Sequence, residues 1–243
     1  MTDRQTLLGR QALVTGASRG LGRAIAIALA REGARTIAVA RASDDLQSLA
    51  AELQPDGEVW EADVTTDALL SRIEALEGLD ILINNAGTNT PQAFLDVDVG
   101  TLDRILDLNV RTTFRISQAA ARRMGKGSTI INITSQMGHV GSPRRSVYCM
   151  SKHAIEGLTK ALAVELAPAG IRVNAVAPTF VETPMTAPML ADPEFRAFVE
   201  RMIPLGRTAS PEDVAAAVIY LASPAAGMIT GHSLLVDGGW TAQ

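Results

Sequence analysis

The sequence has one cysteine, few aromatic residues and no long apolar run. Because Cys149 is the only cysteine, an internal disulfide is excluded, and a reducing cytoplasm is the expected setting. The longest apolar run covers residues 214–222, which is well short of the ~20 residues that a membrane-spanning helix needs. The stretch MTDRQTLLGRQ is polar where a signal peptide would be apolar. We therefore expect neither a membrane protein nor a secreted disulfide scaffold.

A strong basic charge is also absent. The formal net charge is −4, the pI is near 5.4, and no run of Lys and Arg exceeds two residues. Such a charge distribution argues against nucleic acid or an anionic membrane surface as the main partner. Hydrophobic residues make up 47% of the chain and charged residues 20%, so the chain can bury a sizeable core.

Short β-branched runs alternate with helical patterns along the chain. The predicted strands cover residues 12–15, 36–40, 58–61, 81–84, 129–134, 172–175 and 233–236. The clearest helices cover residues 21–31 and 154–166, where apolar positions recur three and four residues apart. This alternation predicts an α/β fold with a parallel sheet covered by helices on both faces. No linker, charge block or repeat divides the chain, so we expect a single domain over residues 1–243.

One segment, at about residues 183–210, fits no strand–helix unit. It is rich in proline and methionine, at Pro184, Pro188, Pro193, Pro204, Met185, Met189 and Met202. This composition is typical of a surface that repacks, so we expect a mobile substrate lid here.

A glycine-rich loop follows the first predicted strand. Gly16, Gly20 and Gly22 allow a sharp turn that brings backbone N–H groups and a helix N-terminus close to a phosphate. The same loop places Ser18 in a G-x-S-x-G pattern, the nucleophile elbow of α/β hydrolases. Such an elbow takes an oxyanion N–H from an earlier loop, and here little chain precedes the motif. A serine hydrolase using Ser18 is therefore a remote alternative.

Tyr148 and Lys152 are four residues apart, on one face of a helix. Because a nearby cation favours the phenolate, the pKa of the tyrosine is expected to fall from ~10 towards working pH. Such a tyrosine can donate or accept the proton of a substrate hydroxyl. Ser135 ends the preceding strand, at the edge where ligands bind in open α/β sheets.

Together these motifs resemble the short-chain dehydrogenase/reductase family nearly end to end. Residues 15–22 match its T-G-x-x-x-G-x-G loop, residues 84–87 its N-N-A-G segment, and Asp237-Gly238-Gly239 its usual tail. The resemblance implies a single-domain, Rossmann-type, doubly wound sheet of about seven parallel strands, and usually a homotetramer. It also implies an NAD(P)-dependent oxidoreductase that interconverts a secondary alcohol and a carbonyl by hydride transfer.

The resemblance assigns four catalytic residues. Tyr148 would be the general acid/base, Ser135 would hydrogen-bond the reacting oxygen, and Lys152 would lower the tyrosine's pKa and hold the nicotinamide ribose. Asn109 would support a water that links the lysine to solvent. The lone cysteine and the three histidines have no metal-ligand spacing, so no metal site is expected.

The resemblance also implies a set of cofactor-binding residues. They are Gly16, Ser18, Arg19, Gly20, Leu21, Gly22, Arg41, Asp63, Val64, Asn85, Ala86, Gly87, Tyr148, Lys152, Pro178, Thr179, Val181 and Thr183. Thr179 stands where relatives usually have a glycine, and a threonine there needs either an ordinary φ or a strained one.

The choice between NADP and NAD is expected at the end of the second strand. An acidic residue there would bind the ribose hydroxyls of NAD, but this chain has Ala40 followed by Arg41. Arg41 and Arg19 could clamp a 2′-phosphate. Asp44 and Asp45 follow Ser43 and are interpreted as first-turn acids behind a helix cap. NADP(H) is therefore favoured and NAD(H) remains possible.

The expected substrate contacts are mainly polar: Ser135, Gln136, His139, Arg145 and Met185. This lining suits a sugar, polyol or sugar acid, whereas aromatic residues, which a sterol would want, make up only 4% of the chain. Arg144 and Arg145 could instead meet a carboxylate or an acyl-carrier protein. A 3-oxoacyl-carrier-protein reductase therefore stays open as the alternative.

Overall fold

The computed structural model describes residues 6–53 and 55–243. Within these ranges the chain contains seven strands: β1 (Gln11–Thr15), β2 (Arg35–Ala40), β3 (Glu58–Glu61), β4 (Ile81–Asn84), β5 (Thr129–Ile133), β6 (Arg172–Pro178) and β7 (Ser233–Val236). They form one sheet in the order β3-β2-β1-β4-β5-β6-β7. Every neighbouring pair is parallel.

Nine α-helices lie within the described ranges. They are α1 (Gly20–Arg31), α2 (Asp44–Glu52), α3 (Asp67–Glu74), α4 (Val99–Leu106), α5 (Thr112–Ala121), α6 (Ser146–Leu166), α7 (Ala187–Leu190), α8 (Pro193–Met202) and α9 (Pro211–Ala222). A π-helical turn, Asp107–Arg111, joins α4 to α5. The predicted doubly wound α/β fold with seven parallel strands is confirmed.

The two faces of the sheet carry separate hydrophobic cores. Val14, Ile83 and Ile131 point to one face, where they pack with residues of α1 and α9. Leu13 and Leu82 alternate with them and pack on the opposite face with residues of α3, α5 and α6. Because these central strands are covered on both sides, their apolar residues run almost without interruption, as buried parallel strands require.

The segment 183–210 contains α7 and α8, which pack on a small core of their own. Leu190, Val199 and Ile203 are buried there against Phe180 and Trp240. A parallel β-bridge between Val181 and Ala209 ties the two ends of the segment together.

The described helices include none with the length and apolar composition that a membrane crossing requires. Among the described residues, no three His, Cys, Asp or Glu side chains come together as metal ligands would.

Candidate active site

The glycine loop is anchored to the strand next to it by a buried threonine. The Thr15 hydroxyl donates to Ile83 O (3.3 Å) and accepts from Asn85 N (3.0 Å) and Ala86 N (3.1 Å). In return, Asn85 Nδ2 donates to Thr15 O (2.9 Å) and Gly16 O (3.1 Å). The carboxyl ends of β1 and β4 are therefore held in one fixed arrangement.

The conformation and the close packing of this loop require glycine at three positions. Gly16 and Gly20 have φ of +66° and +56°, a region that residues with a side chain rarely adopt. A Cβ on Gly22 would lie 2.3 Å from Gly16 O, so no larger residue fits without moving the main chain.

The N-terminus of α1 is open to an anion. Its N-cap residue, Arg19, makes no capping side-chain hydrogen bond, and the first turn contains no acidic residue. A helix N-terminus carries unpaired N–H groups and a partial positive charge. Together with the close backbone approach at Gly16 and Gly22, this end of α1 fits the pyrophosphate of a dinucleotide.

Arg19, the N-cap residue of α1, and Arg41, which follows β2, are both exposed. Hydrogen bonds from Thr65 N (2.9 Å) and Thr65 Oγ1 (2.7 Å) hold the Asp63 carboxylate. These bonds from Thr65 lower the pKa of Asp63, and the positive charge of Arg41 adds a smaller effect in the same direction. The Ser43 hydroxyl accepts from Leu46 N (3.2 Å), so the interpretation of Ser43 as the cap of α2 is confirmed.

The predicted cofactor residues line the carboxyl-terminal edge of the sheet. They follow β1 (residues 16–22), β2 (Arg41), β3 (Asp63 and Val64) and β4 (residues 85–87), or end and follow β6 (Pro178, then Thr179, Val181 and Thr183), with Tyr148 and Lys152 on α6. Thr179 is not among the residues with positive φ, and its N–H donates to Val236 O (3.1 Å). The threonine is therefore accommodated without backbone strain.

Asn109 lies in the π-helical turn and holds the segment after β4. Its Oδ1 accepts from Thr88 N (2.8 Å), and its Nδ2 donates to Thr88 O (2.9 Å) and Ser151 Oγ (3.1 Å). A π-turn is rare and often occurs at functional sites, since it changes the direction of one side chain within a helix. Sequence reasoning found Asn109 but missed this turn.

Ser135, Tyr148 and Lys152 meet at the carboxyl end of β5. Ser135 caps a short 3₁₀ turn by accepting from Met137 N (3.1 Å), and its hydroxyl donates to Gln136 Oε1 (3.1 Å). Lys152 is buried; its Nζ donates to Ile133 O (2.9 Å) and lies 5.5 Å from the centre of the Tyr148 ring.

The two titratable groups on α6 have shifted pKa values. Burial raises the pKa of the Tyr148 phenol to about 12, and hydrogen bonding with Ser135 opposes this shift. Burial lowers the pKa of the Lys152 ammonium to about 8, with the negative charge of Glu156 acting in the opposite direction. The prediction that Lys152 lowers the tyrosine pKa is therefore wrong for this structure, because the ammonium turns to a backbone carbonyl and desolvation dominates at the phenol.

A cavity of about 230 Å³ opens beside Tyr148. Its walls are Asn89, Pro91, Ser135, Gln136, Met137, Arg145, Tyr148, Thr179, Phe180, Met185, Thr186 and Met189. Four predicted substrate residues, Ser135, Gln136, Arg145 and Met185, are among them. Sequence reasoning missed the contributions of Asn89 and Phe180, since neither lies in a motif.

His139 is placed elsewhere, outside the cavity wall. Its Nε2 lies 3.0 Å from Ser233 Oγ and 3.3 Å from Glu156 Oε1. His153 Nδ1 bonds Cys149 O (2.9 Å). The hydrolase alternative therefore lacks a general base at Ser18 among the hydrogen bonds of the described residues.

Comparison with known proteins identifies the family. Residues 16–241 match the family described as enoyl-(acyl carrier protein) reductase. The chain is 42% identical to L-xylulose reductase of Bos taurus over 241 residues, which cover 97% of this chain and 98% of that protein. A short-chain type dehydrogenase/reductase from Mycobacterium marinum superposes with a TM-score of 0.91 at 39% identity, covering 99% of each chain. The chain belongs to the short-chain dehydrogenase/reductase family.

As a member of this family, the protein is an NAD(P)-dependent oxidoreductase. A second solved structure, described as a candidate NAD(P)-dependent gluconate 5-dehydrogenase from Beutenbergia cavernae, has NADP bound at low occupancy. It superposes with a TM-score of 0.92 at 38% identity and covers 99% of this chain and 100% of its own.

Proposed function

We propose that the protein interconverts a secondary alcohol and a carbonyl group of a sugar, polyol or sugar acid, with Tyr148 as the general acid/base and NADP(H) as the cofactor. The observation that carries this proposal is the position of the Tyr148 phenol. It lies in the wall of a cavity lined by Ser135, Gln136 and Arg145, at the sheet edge that holds the glycine loop. The bound cofactor supplies or accepts the hydride.

Each of the four proposed catalytic residues has a separate role in proton transfer or positioning. In carbonyl reduction the Tyr148 hydroxyl donates its proton to the new alkoxide. Ser135 would hydrogen-bond the same oxygen, and Lys152 would hold the nicotinamide ribose. Asn109 positions the 87–88 segment through its two bonds to Thr88 and supports a water on the lysine side.

The preference for NADP(H) rests on charge at the end of β2. Ala40 ends the strand where an acid would bind the ribose hydroxyls of NAD. Arg41 and Arg19 are both exposed and supply two guanidinium groups for a 2′-phosphate. The neighbour from Beutenbergia cavernae, which binds NADP, supports this choice. NAD(H) would bind more weakly, through the shared part of the site.

The substrate proposal rests on the polar cavity wall and on the resemblance to L-xylulose reductase. The second candidate is a 3-oxoacyl-carrier-protein reductase. It is favoured by the description of the matching family and by the exposed Arg144 near the cavity, which could meet an acidic carrier.

We further propose that residues 1–243 form one catalytic domain in which the 183–210 segment closes over the substrate as a lid. The segment packs on a small core that it shares with Phe180 and Trp240, and its two ends meet at the Val181–Ala209 bridge, so that closure would exclude water from the site. We propose a homotetramer in the cytoplasm, supported by apolar side chains left exposed on α5 and α6, at Phe114, Met150 and Val164.

The test is a Tyr148→Phe variant, assayed by NADPH oxidation with a panel of ketoses and 3-oxoacyl thioesters. We expect turnover to fall by ~10²–10⁴-fold, the usual contribution of a positioned acid/base, while NADPH affinity changes by less than a few-fold. Tyr220→Phe is the matched control, because this other tyrosine is exposed on α9. Substantial activity in Tyr148→Phe would overturn the assignment.

A further inference from the structure

Arg145 is a buried cation in the cavity wall for which the described residues supply no carboxylate. The residue is 8% exposed. Among the described residues its guanidinium makes one hydrogen bond, from Nη2 to the sulfur of Met189 (3.1 Å), and it takes part in no ion pair. A thioether is a weak acceptor, and a buried charge without a counter-charge is costly. Such an arrangement calls for an anionic partner.

The groups around Arg145 complete a site for a polar ligand. Gln136 is 1% exposed, and its Oε1 accepts from the Ser135 hydroxyl (3.1 Å). The Gln136 Nε2, Asn89 Oδ1 and Thr179 Oγ1 atoms are buried in the same wall without a hydrogen-bond partner among the described residues. Buried polar groups in native proteins are normally paired. The wall thus combines the Arg145 cation with the polar residues Gln136, Asn89 and Thr179, whose unpaired atoms lie beneath its surface.

We infer that the substrate is a short polyhydroxy acid whose carboxylate binds Arg145 while one of its secondary hydroxyls reaches Tyr148. This inference deepens the proposed function and rests on it. Arg145 acts as a specificity-determining residue: its planar fork matches a carboxylate.

The charge count favours a carboxylate over a phosphate or a carrier protein. Arg145 is the one charged side chain among the described residues of the cavity wall, so it balances a single negative charge. The cavity, at about 230 Å³, lies below the ~300–1,000 Å³ of typical ligand pockets, which suits a small molecule. The backbone supports this placement, since Arg144, with φ of +61°, bonds Gln92 N through its carbonyl oxygen (3.1 Å) and sets the direction of the next residue.

The test compares five- and six-carbon aldonates with the polyols of the same carbon skeleton, such as gluconate with glucitol, as substrates for oxidation with NADP⁺. We expect the wild-type protein to prefer the aldonate. In Arg145→Gln, kcat/KM for the best aldonate should fall by about 10- to 100-fold, mainly through KM, as expected for one charge-assisted pair. The matching polyol should change by less than about 3-fold, and Arg145→Lys should recover part of the loss.

Arg144→Asn is the matched control. It removes the exposed neighbouring guanidinium but keeps a residue that tolerates positive φ, so both substrates should react as in the wild type. Equal losses of kcat/KM on aldonate and polyol in Arg145→Gln would overturn the inference. They would show that Arg145 acts on Tyr148 and not on a substrate carboxylate. A wild-type preference for the polyol or for a 3-oxoacyl thioester would also overturn it.

A binding measurement separates this inference from the proposed function. Calorimetric titration of the wild type, Arg145→Gln and Arg144→Asn with the same aldonates needs no turnover. Arg145-dependent binding of aldonates that do not react would support the carboxylate site at Arg145, but it would overturn the proposed function and with it the role of the aldonate as substrate. Absence of Arg145-dependent binding overturns the inference, whether or not the protein reduces ketoses.

Discussion

Helices α1 and α9 have the same length and pack against each other on one face of the sheet, but their N-termini differ. The end of α9 is closed: Asp213 N donates to Ser210 Oγ (3.1 Å), and Ser210 N donates to the Asp213 carboxylate (2.8 Å). Pro211 begins the helix and Glu212 adds a second acid in the first turn. The end of α1 has no capping side chain and no acid.

The capped N-terminus of α9 stabilises its helix, whereas the uncapped N-terminus of α1 is available for binding. A capping box satisfies the free N–H groups of a helix and typically stabilises it by ~1 kcal/mol. The chain omits this stabilisation at α1, where the N–H groups face the glycine loop. The two helices pack in the same way, but only the N-terminus of α1 keeps its N–H groups free to bind an anion.

The largest expected effect comes from removing the close approach at α1. In Gly22→Ala the new Cβ would lie 2.3 Å from Gly16 O and 2.5 Å from Asn85 Nδ2. The loop must move, so NADPH affinity should fall by about 100-fold or more, the value of one to two hydrogen bonds to a charged group. Fluorescence titration with NADPH measures this.

Gly157→Ala is the control for this change, because a Cβ at that position in α6 meets no atom within 4 Å. Its NADPH affinity should equal that of the wild type. Equal affinities for Gly22→Ala and Gly157→Ala would show that the loop does not bind the cofactor.

A smaller effect is expected from capping α1 artificially. Arg19 has φ of −151° and ψ of 173°, the extended conformation that an N-cap residue adopts. In Arg19→Asp the carboxylate should cap the helix and raise the free energy of unfolding by about 1 kcal/mol. The same carboxylate should repel the phosphates and weaken NADPH binding by about 10- to 100-fold.

Arg19→Gln separates the two effects, because it removes the guanidinium without adding a good cap. Urea unfolding and NADPH titration of both variants measure them. If Arg19→Asp is no more stable than Arg19→Gln, then the end of α1 does not need a cap, and the comparison with α9 fails.

The sequence predicted most of the sheet because buried parallel strands have a strong local signal. All seven strands lie within a few residues of their predicted positions, the largest difference being the extension of β6 to Pro178. Apolar periodicity marked helix α6 clearly only from residue 154, although the spacing of Tyr148 and Lys152 already placed both on a helical face; the helix begins at Ser146. Its first turns carry Tyr148 and Lys152 towards the site, which breaks the apolar periodicity used to detect a helix.

The site was less predictable where contacts between distant residues decide it. The residues at the sheet edge could be found because the family motifs contain them. The turn at Asn109 depends on bonds to Thr88, and the position of His139 depends on Ser233, 94 residues away. The pKa of Tyr148 depends on burial that the Tyr-x-x-x-Lys spacing does not contain.

The smallest expected effect concerns the closed end, α9, and its dependence on pH. Hydrogen bonds from Arg207 and from Ser210 N lower the pKa of Asp213 to about 2. The folded pKa is below the unfolded value of ~3.9, so this group's stabilisation is complete above about pH 4 and is lost as pH falls through about 2.

Asp213→Asn should lower the free energy of unfolding at pH 7 by about 1 kcal/mol, since the pair with Arg207 is partly exposed and screened. In urea unfolding between pH 7 and 2.5 the difference from the wild type should shrink below pH 4, with NADPH affinity at pH 7 unchanged. A difference that stays constant with pH would show that the carboxylate's charge contributes nothing at this helix end, and that α9 is stabilised by its Ser210 cap alone.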